Sequence, residues 1–205
     1  MAKTAVRADS ARTIQTLHRV AARMLVEDAN VSLVAIAARA GVDRRTVYRY
    51  FDNRDTLIDT IYRAAYEAGE RAMDEARLDS APTVVALHRL FEGLVRVIRE
   101  YPLREPEPGS PIYPRYQQHI ERFAAFVRRA VDDGLVRADL PEGLALEIFQ
   151  KTLLMLAGEY QQLAPGAVSD LAVDILLNGL GVHPSPPGQP TIAPRTTHPT
   201  AISHS

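Results

Sequence analysis

The sequence predicts an all-α protein. Ala, Leu and Val dominate its 205 residues, and aromatic side chains make up only 6% of them. Apolar residues recur at helical spacing along most of the chain, and no long stretch alternates at the period of two that a half-buried strand requires. A chain of this length can bury a proper core as one large or two small domains.

Six long helices are predicted from apolar residues at helical spacing. Five have one apolar face, whereas the stretch from Thr152 to Gly158 is apolar on every side. Five prolines between Tyr101 and Pro114 predict a loop, because proline does not continue a helix interior. The helices are predicted over residues 10–28, 54–77, 83–100, 115–133, 142–163 and 167–180.

Two short helices are predicted between the first and second long ones, over residues 32–39 and 44–50. Side-chain oxygens that cap a helix start stand before three helices in this window, and Gly41 lies at the break between the two short helices, where a positive φ is expected. The expected caps are Ser32, Asp43 and Asn53. This spacing is typical of a helix-turn-helix.

The outer face of the helix over residues 44–50 favours DNA recognition over an ordinary helical hairpin. It carries arginines and hydroxyls but no acid, and these groups match guanine edges and phosphate oxygens. We predict that Arg44 and Arg45 contact bases. The predicted phosphate or mixed contacts are Thr46, Tyr48, Arg49 and, at the start of the next helix, Arg54.

The charge distribution supports this interpretation. Residues 1–54 hold ten Lys and Arg against five Asp and Glu, a net +5, so the net charge of −1 leaves −6 for the other 151 residues. A basic head on an acidic body is typical of a DNA-reading module joined to a domain with another role.

The run S-x-x-x-I-A-x-x-A-G-V-x-x-x-T-V-Y-x-Y-F-x-x-R-x-x-L, from Ser32 to Leu57, resembles the N-terminal signature of the TetR family of bacterial transcriptional regulators. Ser32 and Arg54 stand where Thr and Lys are usual in that family. The resemblance implies a homodimer that binds a pseudo-palindromic operator in double-stranded DNA. It also implies a carboxyl-terminal helical domain that binds a small-molecule effector and dimerises.

These inferences predict a division of the chain. Residues 1–53 form the DNA-binding domain, and the helix over residues 54–77 links it to an effector-binding and dimerisation domain over residues 78–182. Six prolines and almost no large apolar residue make residues 183–205 a predicted disordered tail.

The effector pocket is expected between the linking helix over residues 54–77 and the helix over residues 142–163. Most residues suited to line it are equally suited to the core, because core and pocket share one composition. The lining suggests an apolar or aromatic compound with a few hydrogen-bonding groups, and the loop over residues 102–114 either forms a wall of the pocket or is mobile. The candidates are Tyr62, Tyr66, His88, Phe91, Val95, Tyr113, Tyr116, Phe123, Phe149, Met155 and Tyr160.

The last two helices are the predicted dimer interface. A helix that is apolar all round needs cover on both flanks, and small residues permit close packing; burial within one subunit is the alternative. The candidates are Ala157, Gly158, Leu171, Ile175 and Gly179.

Other functions find little support. The sequence has no cysteine, no phosphate-binding glycine loop, no nucleophile elbow and no histidine pair at metal-ligand spacing, so we expect neither an enzyme nor a cofactor or metal. We expect a cytoplasmic protein, since neither a signal peptide nor a membrane-spanning run is present. A DNA-binding regulator without an effector, either an activator or a structural binder, remains the alternative to a ligand-released repressor.

Overall fold

The computed structural model describes residues 2–180, with side chains from Ser10 to Gly179. This part of the chain is all-α, as predicted, and contains no strand. The predicted tail over residues 183–205 lies outside the described residues. The helices are α1 (Ala2–Glu27), α2 (Leu33–Ala40), α3 (Arg44–Tyr50), α4 (Arg54–Ala76), α5 (Thr83–Glu100), α6 (Tyr113–Asp132), α7 (Leu144–Glu159) and α8 (Pro165–Leu180).

The three predicted helix caps are confirmed. The Ser32 side chain accepts from the Ala35 N–H, Asp43 accepts from the N–H groups of Arg45 and Thr46, and Asn53 accepts from the Thr56 N–H. Each cap satisfies N–H groups that the first turn of a helix leaves without partners. Gly41 ends α2 with φ 65°, as expected for a residue without Cβ.

Two clusters of buried apolar side chains stabilise the fold. The first lies among α1, α2, α3 and the start of α4, where Leu17, Ile36, Val47 and Leu57 are fully buried. The second joins the end of α4 to α5, α6, α7 and α8 around Phe91. Because α4 contributes to both clusters, it connects the amino-terminal helices to the rest of the fold.

Two helix boundaries differ from the prediction. Helix α1 begins at Ala2, since residues 2–9 contain neither Pro nor Gly to stop it. Helix α7 is shorter than the predicted helix over residues 142–163. Gly143 precedes it with φ 78°, and the Arg99 side chain of α5 binds backbone carbonyls at its other end. The Arg99 guanidinium donates to the carbonyls of Ala157, Tyr160 and Leu163 at 3.3, 2.8 and 2.8 Å.

The loop predicted over residues 102–114 is non-helical as far as residue 112, and its last two residues, Tyr113 and Pro114, begin α6. Within residues 2–180 no helix combines the length and apolar character needed to cross a membrane.

Candidate DNA-binding surface and effector cavity

Helix α3 presents a cationic face to solvent. Arg44, Arg45 and Arg49 are exposed, Tyr48 is 42% exposed, and Thr46 is half-buried. Val47 lies on the opposite side and is fully buried. None of these arginines forms a salt bridge with a residue between 10 and 179, so their charge is available to an external anion.

Aromatic rings hold two of these guanidinium groups. The Arg44 guanidinium lies 5.4 Å from the centre of the Tyr48 ring, one helical turn away. The Arg49 guanidinium lies 4.9 Å from the Tyr50 ring and donates to its hydroxyl at 3.0 Å. Such contacts restrict the side chains without neutralising them. The α3 face is therefore partly ordered before it meets a ligand.

Arg54 is placed differently from the prediction. Its guanidinium donates to the carbonyls of Ala29 and Val31 in the turn before α2, the latter at 2.9 Å, and lies 3.4 Å from Asp55. The side chain therefore fastens the start of α4 to the turn between α1 and α2. A phosphate contact by Arg54 stays a prediction, and it requires the guanidinium to share or leave these partners.

His18 makes a second connection between α1 and α4, which the sequence analysis did not identify. Its Nε2 lies 3.1 Å from the Thr60 hydroxyl, its ring packs 6.1 Å from the Phe51 ring, and only 7% of the residue is exposed. Burial lowers the pKa of His18 below its ordinary value. A predominantly neutral histidine therefore lies between α1 and α4.

A cavity of about 240 Å³ lies among α4, α5, α6, α7 and the loop over residues 101–112. Its wall is mostly apolar and aromatic, with a few polar side chains. It is lined by Ala65, Tyr66, Gly69, Leu94, Val97, Ile98, Tyr101, Leu103, Arg104, Glu105, Tyr116, His119, Ile120, Phe123, Gln150, Lys151, Leu153 and Leu154.

Part of the predicted pocket is found in this cavity. Tyr66, Tyr116 and Phe123 line it, whereas Tyr62 and Tyr113 line two adjoining clefts. The other six candidates line none of these three spaces.

Six predicted pocket residues do not line the cavity. Phe91, Val95 and Phe149 are fully buried in the second core cluster, where Phe91 and Phe149 pack ring to ring. The other three are partly or largely exposed to solvent. His88 lies 3.1 Å from the Asp170 carboxylate, Met155 is 51% exposed, and Tyr160 is 41% exposed.

Several lining residues were missed by the sequence analysis. His119 lies on α6 against Gly69 of α4, where any Cβ would come within 2.5 Å of the His119 ring. Glu105 lies in the loop between α5 and α6. The local sequence carries no signal for either residue, because the cavity is assembled from segments up to 90 positions apart, from Ala65 to Leu154. The expectation that the loop forms a wall was the available clue, and three consecutive loop residues, 103–105, do line the cavity.

Three polar side chains in the cavity wall have pKa values that differ from their ordinary values. Burial, and secondarily a hydrogen bond with the Glu105 carboxylate, raises the pKa of Tyr116 well above its ordinary value. Burial together with neighbouring hydroxyls and Glu105 raises the pKa of Tyr66. Burial lowers the pKa of His119, so it is predominantly neutral at pH 7. The cavity wall is therefore uncharged except for Glu105, Arg104 and Lys151.

The loop that lines the cavity also contacts the amino-terminal helices. The Tyr62 hydroxyl of α4 donates to the Arg104 carbonyl at 3.1 Å, and the Arg104 guanidinium donates to the Val26 carbonyl near the end of α1 at 3.2 Å. One loop residue thus touches the cavity, α4 and α1.

Helices α7 and α8 expose apolar side chains. Leu154, Met155 and Ile175 are 51%, 51% and 41% exposed, and an added Cβ at Gly158 or Gly179 would meet no atom within 4 Å. Among the predicted interface residues, Leu171 is half-buried against the core. Ala157 is fully buried inside its own subunit, so the prediction that it contacts a partner is wrong.

Within residues 2–180 no group of three His, Asp or Glu side chains is placed to hold a metal ion.

The comparisons with known proteins identify the class of protein that this fold and surface define. Residues 19–61 match the sequence model of the family described as bacterial regulatory proteins, tetR family, and that segment contains α2, α3 and the cationic face. Residues 19–61 are therefore similar to the amino-terminal segment of TetR-family regulators. This similarity agrees with a role in DNA binding and in the regulation of transcription.

Particular relatives cover most of the chain. The HTH-type transcriptional repressor LfrR of Mycolicibacterium smegmatis is 27% identical over 175 residues, which are 82% of this chain and 88% of LfrR. The crystal structure of LfrR from Mycobacterium smegmatis with proflavine superposes with a TM-score of 0.61 at 24% identity, covering 84% of this chain and 99% of that one. The ketosteroid regulator KstR2 of Mycobacterium tuberculosis has a TM-score of 0.67 at 18% identity, over 82% and 94% of the two chains.

Proposed function

We propose that this protein is a homodimeric repressor that leaves a pseudo-palindromic operator when a small molecule occupies the cavity between α4, α5, α6 and α7. In this proposal residues 1–53 bind DNA and residues 78–182 bind the effector and dimerise. The helix over residues 54–77 links these two parts. The observation that carries the proposal is the α3 face, which combines exposed arginines with no acid on a helix held by the Asp43 cap.

The DNA-binding part of the proposal assigns one α3 helix to each of two successive major grooves. In such dimers the two recognition helices lie roughly 34–36 Å apart. Arg44 and Arg45 contact base edges, and Thr46, Tyr48 and Arg49 contact phosphates or both. Arg54 supports the surface from behind through its contacts with the Ala29 and Val31 carbonyls.

The dimer uses the exposed apolar surface of α7 and α8. Leu154, Met155 and Ile175 lose their contact with water there, and the open space above Gly158 and Gly179 admits a partner helix. Apolar surface of this kind on a regulator is better explained by a two-fold interface than by solvent exposure.

Effector control requires a ligand that binds one arrangement of the two DNA-binding domains more tightly than the other. The loop over residues 101–112 offers the connection, because Arg104 lines the cavity and also donates to the Val26 carbonyl of α1. The LfrR repressor, which has been crystallised with proflavine, supports a small aromatic compound as the ligand class.

The dimer is tested by the double variant Met155→Glu/Ile175→Glu. Wild type is expected to have the mass of a dimer by light scattering, and the variant that of a monomer, because buried unpaired carboxylates are costly. Val85→Glu, on the 40% exposed Val85 of α5, is the matched control and should remain dimeric. A monomeric wild type contradicts the proposal.

The effector is tested by a thermal-shift screen followed by a DNA-release assay. The duplex is one that wild type selects from a random library. A compound that raises the melting temperature should also release this duplex. If compounds bind and never release DNA, the protein is a DNA-binding regulator without small-molecule control.

A further inference from the structure

One edge of the cavity lies on α7 and is exposed to solvent. Leu154 lines the cavity and is nevertheless 51% exposed, although it is a large apolar side chain. Lys151, one turn before it, also lines the cavity and is exposed. By contrast, Leu94, Phe123 and Leu153 line the same cavity and are buried. On its α7 side, one subunit therefore leaves an apolar part of the cavity wall in contact with water.

The exposed loop residues of the cavity wall differ from the α7 edge in character. Arg104 and Glu105 are exposed and charged, as expected for side chains that prefer water. Among the large apolar side chains that are exposed within residues 10–179, only Leu154 lines the cavity. Exposed apolar surface next to a ligand site is typical of an interaction surface. The α7 edge is therefore the part of the wall at which a missing cover is expected.

The α7 edge of the cavity continues into the surface proposed for the dimer. Residues 151, 154, 155 and 158 lie within about 100° of one another around the helix axis, because an α-helix has 3.6 residues per turn. Met155 is 51% exposed, and a Cβ added at Gly158 would meet no atom within 4 Å. The cavity edge and the proposed dimer surface therefore share one exposed face of α7.

A second copy of this chain is the occupant that fits the shared face. The described part of the chain carries one recognition helix, α3, whereas an operator of two half-sites needs two. In a two-fold contact through α7 and α8, the same face of each subunit meets the other. A helix that packs over Met155 and Gly158 also covers Leu154, because these three residues lie side by side on α7. The contact that forms the dimer therefore reaches the edge of the cavity.

We propose that the partner subunit completes the cavity by covering its α7 edge at Lys151 and Leu154. The volume of about 240 Å³ within one subunit lies below the range of about 300–1,000 Å³ for ligand pockets, as expected of a site that lacks part of its wall. Dimerisation and ligand binding are then linked, and each strengthens the other by the same factor. This inference rests on the proposed dimer and on the proposed effector function of the cavity.

A single thiol tests the cover, because the natural chain has no cysteine. The full-length variant Leu154→Cys is alkylated with N-ethylmaleimide, alone and combined with Ile175→Glu/Gly179→Glu, which makes the protein monomeric through two substitutions on α8 that do not touch the cavity. The thiol should react at least about tenfold more slowly in the dimer, because the core of an interface excludes solvent. The matched control Val85→Cys, at a 40% exposed position on α5, should react equally fast in both backgrounds.

A dye tests the linkage with Leu154 intact and without DNA. N-phenyl-1-naphthylamine is neutral, and its fluorescence increases in apolar sites. Wild type should bind it about fivefold or more tightly than Ile175→Glu/Gly179→Glu, since covering about 40 Å² of apolar surface accounts for a factor of that size. Val85→Glu should bind it as wild type does. Light scattering gives the mass of each protein, and an unaltered urea midpoint of the monomer at two concentrations verifies that it folds alone.

Several results overturn the inference, and they separate it from the proposed function. Equally fast alkylation at position 154 in a dimeric and a monomeric protein means that the partner leaves the cavity edge open, and the proposed dimer stands. Slow alkylation in both means that the cover comes from the same chain. Equal dye affinity in both, or no dye binding by the dimer, contradicts a site that the partner completes. A monomeric wild type ends both the inference and the proposed dimer.

Discussion

The two halves of this molecule arrange their functional residues in opposite ways. The proposed DNA-binding face consists of neighbours in sequence on the seven-residue helix α3, and its arginines are exposed to solvent. The cavity is lined by residues between Ala65 and Leu154 on four helices and one loop. A surface on one helix follows from local periodicity, whereas a cavity depends on how distant segments pack.

The contrast extends to the consequences of substitution. Arg45 is exposed, so its removal is expected to change DNA binding without changing stability. Phe123 lines the cavity and is also 3% exposed in the second core cluster, so ligand binding and folding are not separable there. Function and stability are therefore expected to be separable at Arg45 and coupled at Phe123.

The largest expected effect concerns the stability of the core in the second half. Phe91→Ala removes a fully buried ring that packs 6.2 Å from Phe149, and the free energy of unfolding should fall by about 3–5 kcal/mol. Urea unfolding measures it. Tyr48→Ala on α3, where the ring is 42% exposed, is the comparison and should cost much less. Similar losses in the two variants would remove the distinction between the halves.

A smaller effect is expected from Arg45→Ala. The variant should bind the selected duplex about 1–3 kcal/mol more weakly, because it loses a base contact, while the free energy of unfolding stays within about 0.5 kcal/mol of wild type. Fluorescence anisotropy and urea unfolding measure the two quantities. Arg89→Ala, which removes an exposed cation from α5, is the control. An equal loss of DNA affinity in both variants would mean that net charge, and not the α3 face, binds DNA.

The smallest effect concerns pH and involves one histidine from each half. Burial lowers the pKa of His18 and of His119 below 6.5 in the folded state. The unfolded chain therefore binds protons that the folded chain does not, and stability is retained above pH 6.5 and falls as the pH drops below it. The slope is at most about 1.4 kcal/mol per pH unit for each histidine.

Urea unfolding between pH 7.5 and pH 5.5 measures this slope. His18→Gln should reduce it by removing the contribution of the amino-terminal half, and His119→Gln should do the same for the other half. A slope that neither variant changes would assign the acid sensitivity to other groups.

Most of the helical framework was predictable because its signals are local. The caps Ser32, Asp43 and Asn53 and the positive φ of Gly41 all follow from interactions within a few residues. The early start of α1 and the short α7 were not predicted. No Pro or Gly stops α1 near the start of the chain. Helix α7 ends where the Arg99 guanidinium of α5 donates hydrogen bonds to backbone carbonyls in and beyond its last turn.

The sequence by itself determined the fold class, the cationic face of α3 and the resemblance to TetR-family regulators, because each depends on residues that are close along the chain. Only the tertiary structure decided that Phe91 and Phe149 are core, that Tyr66 and Tyr116 meet Glu105 at a cavity, and that Arg54 is held by backbone carbonyls. Apolar and aromatic side chains recur at the same spacing along the sequence whether they lie in a core or in a pocket. Whether such a side chain lines a cavity depends on whether distant segments of the chain fill the space beside it.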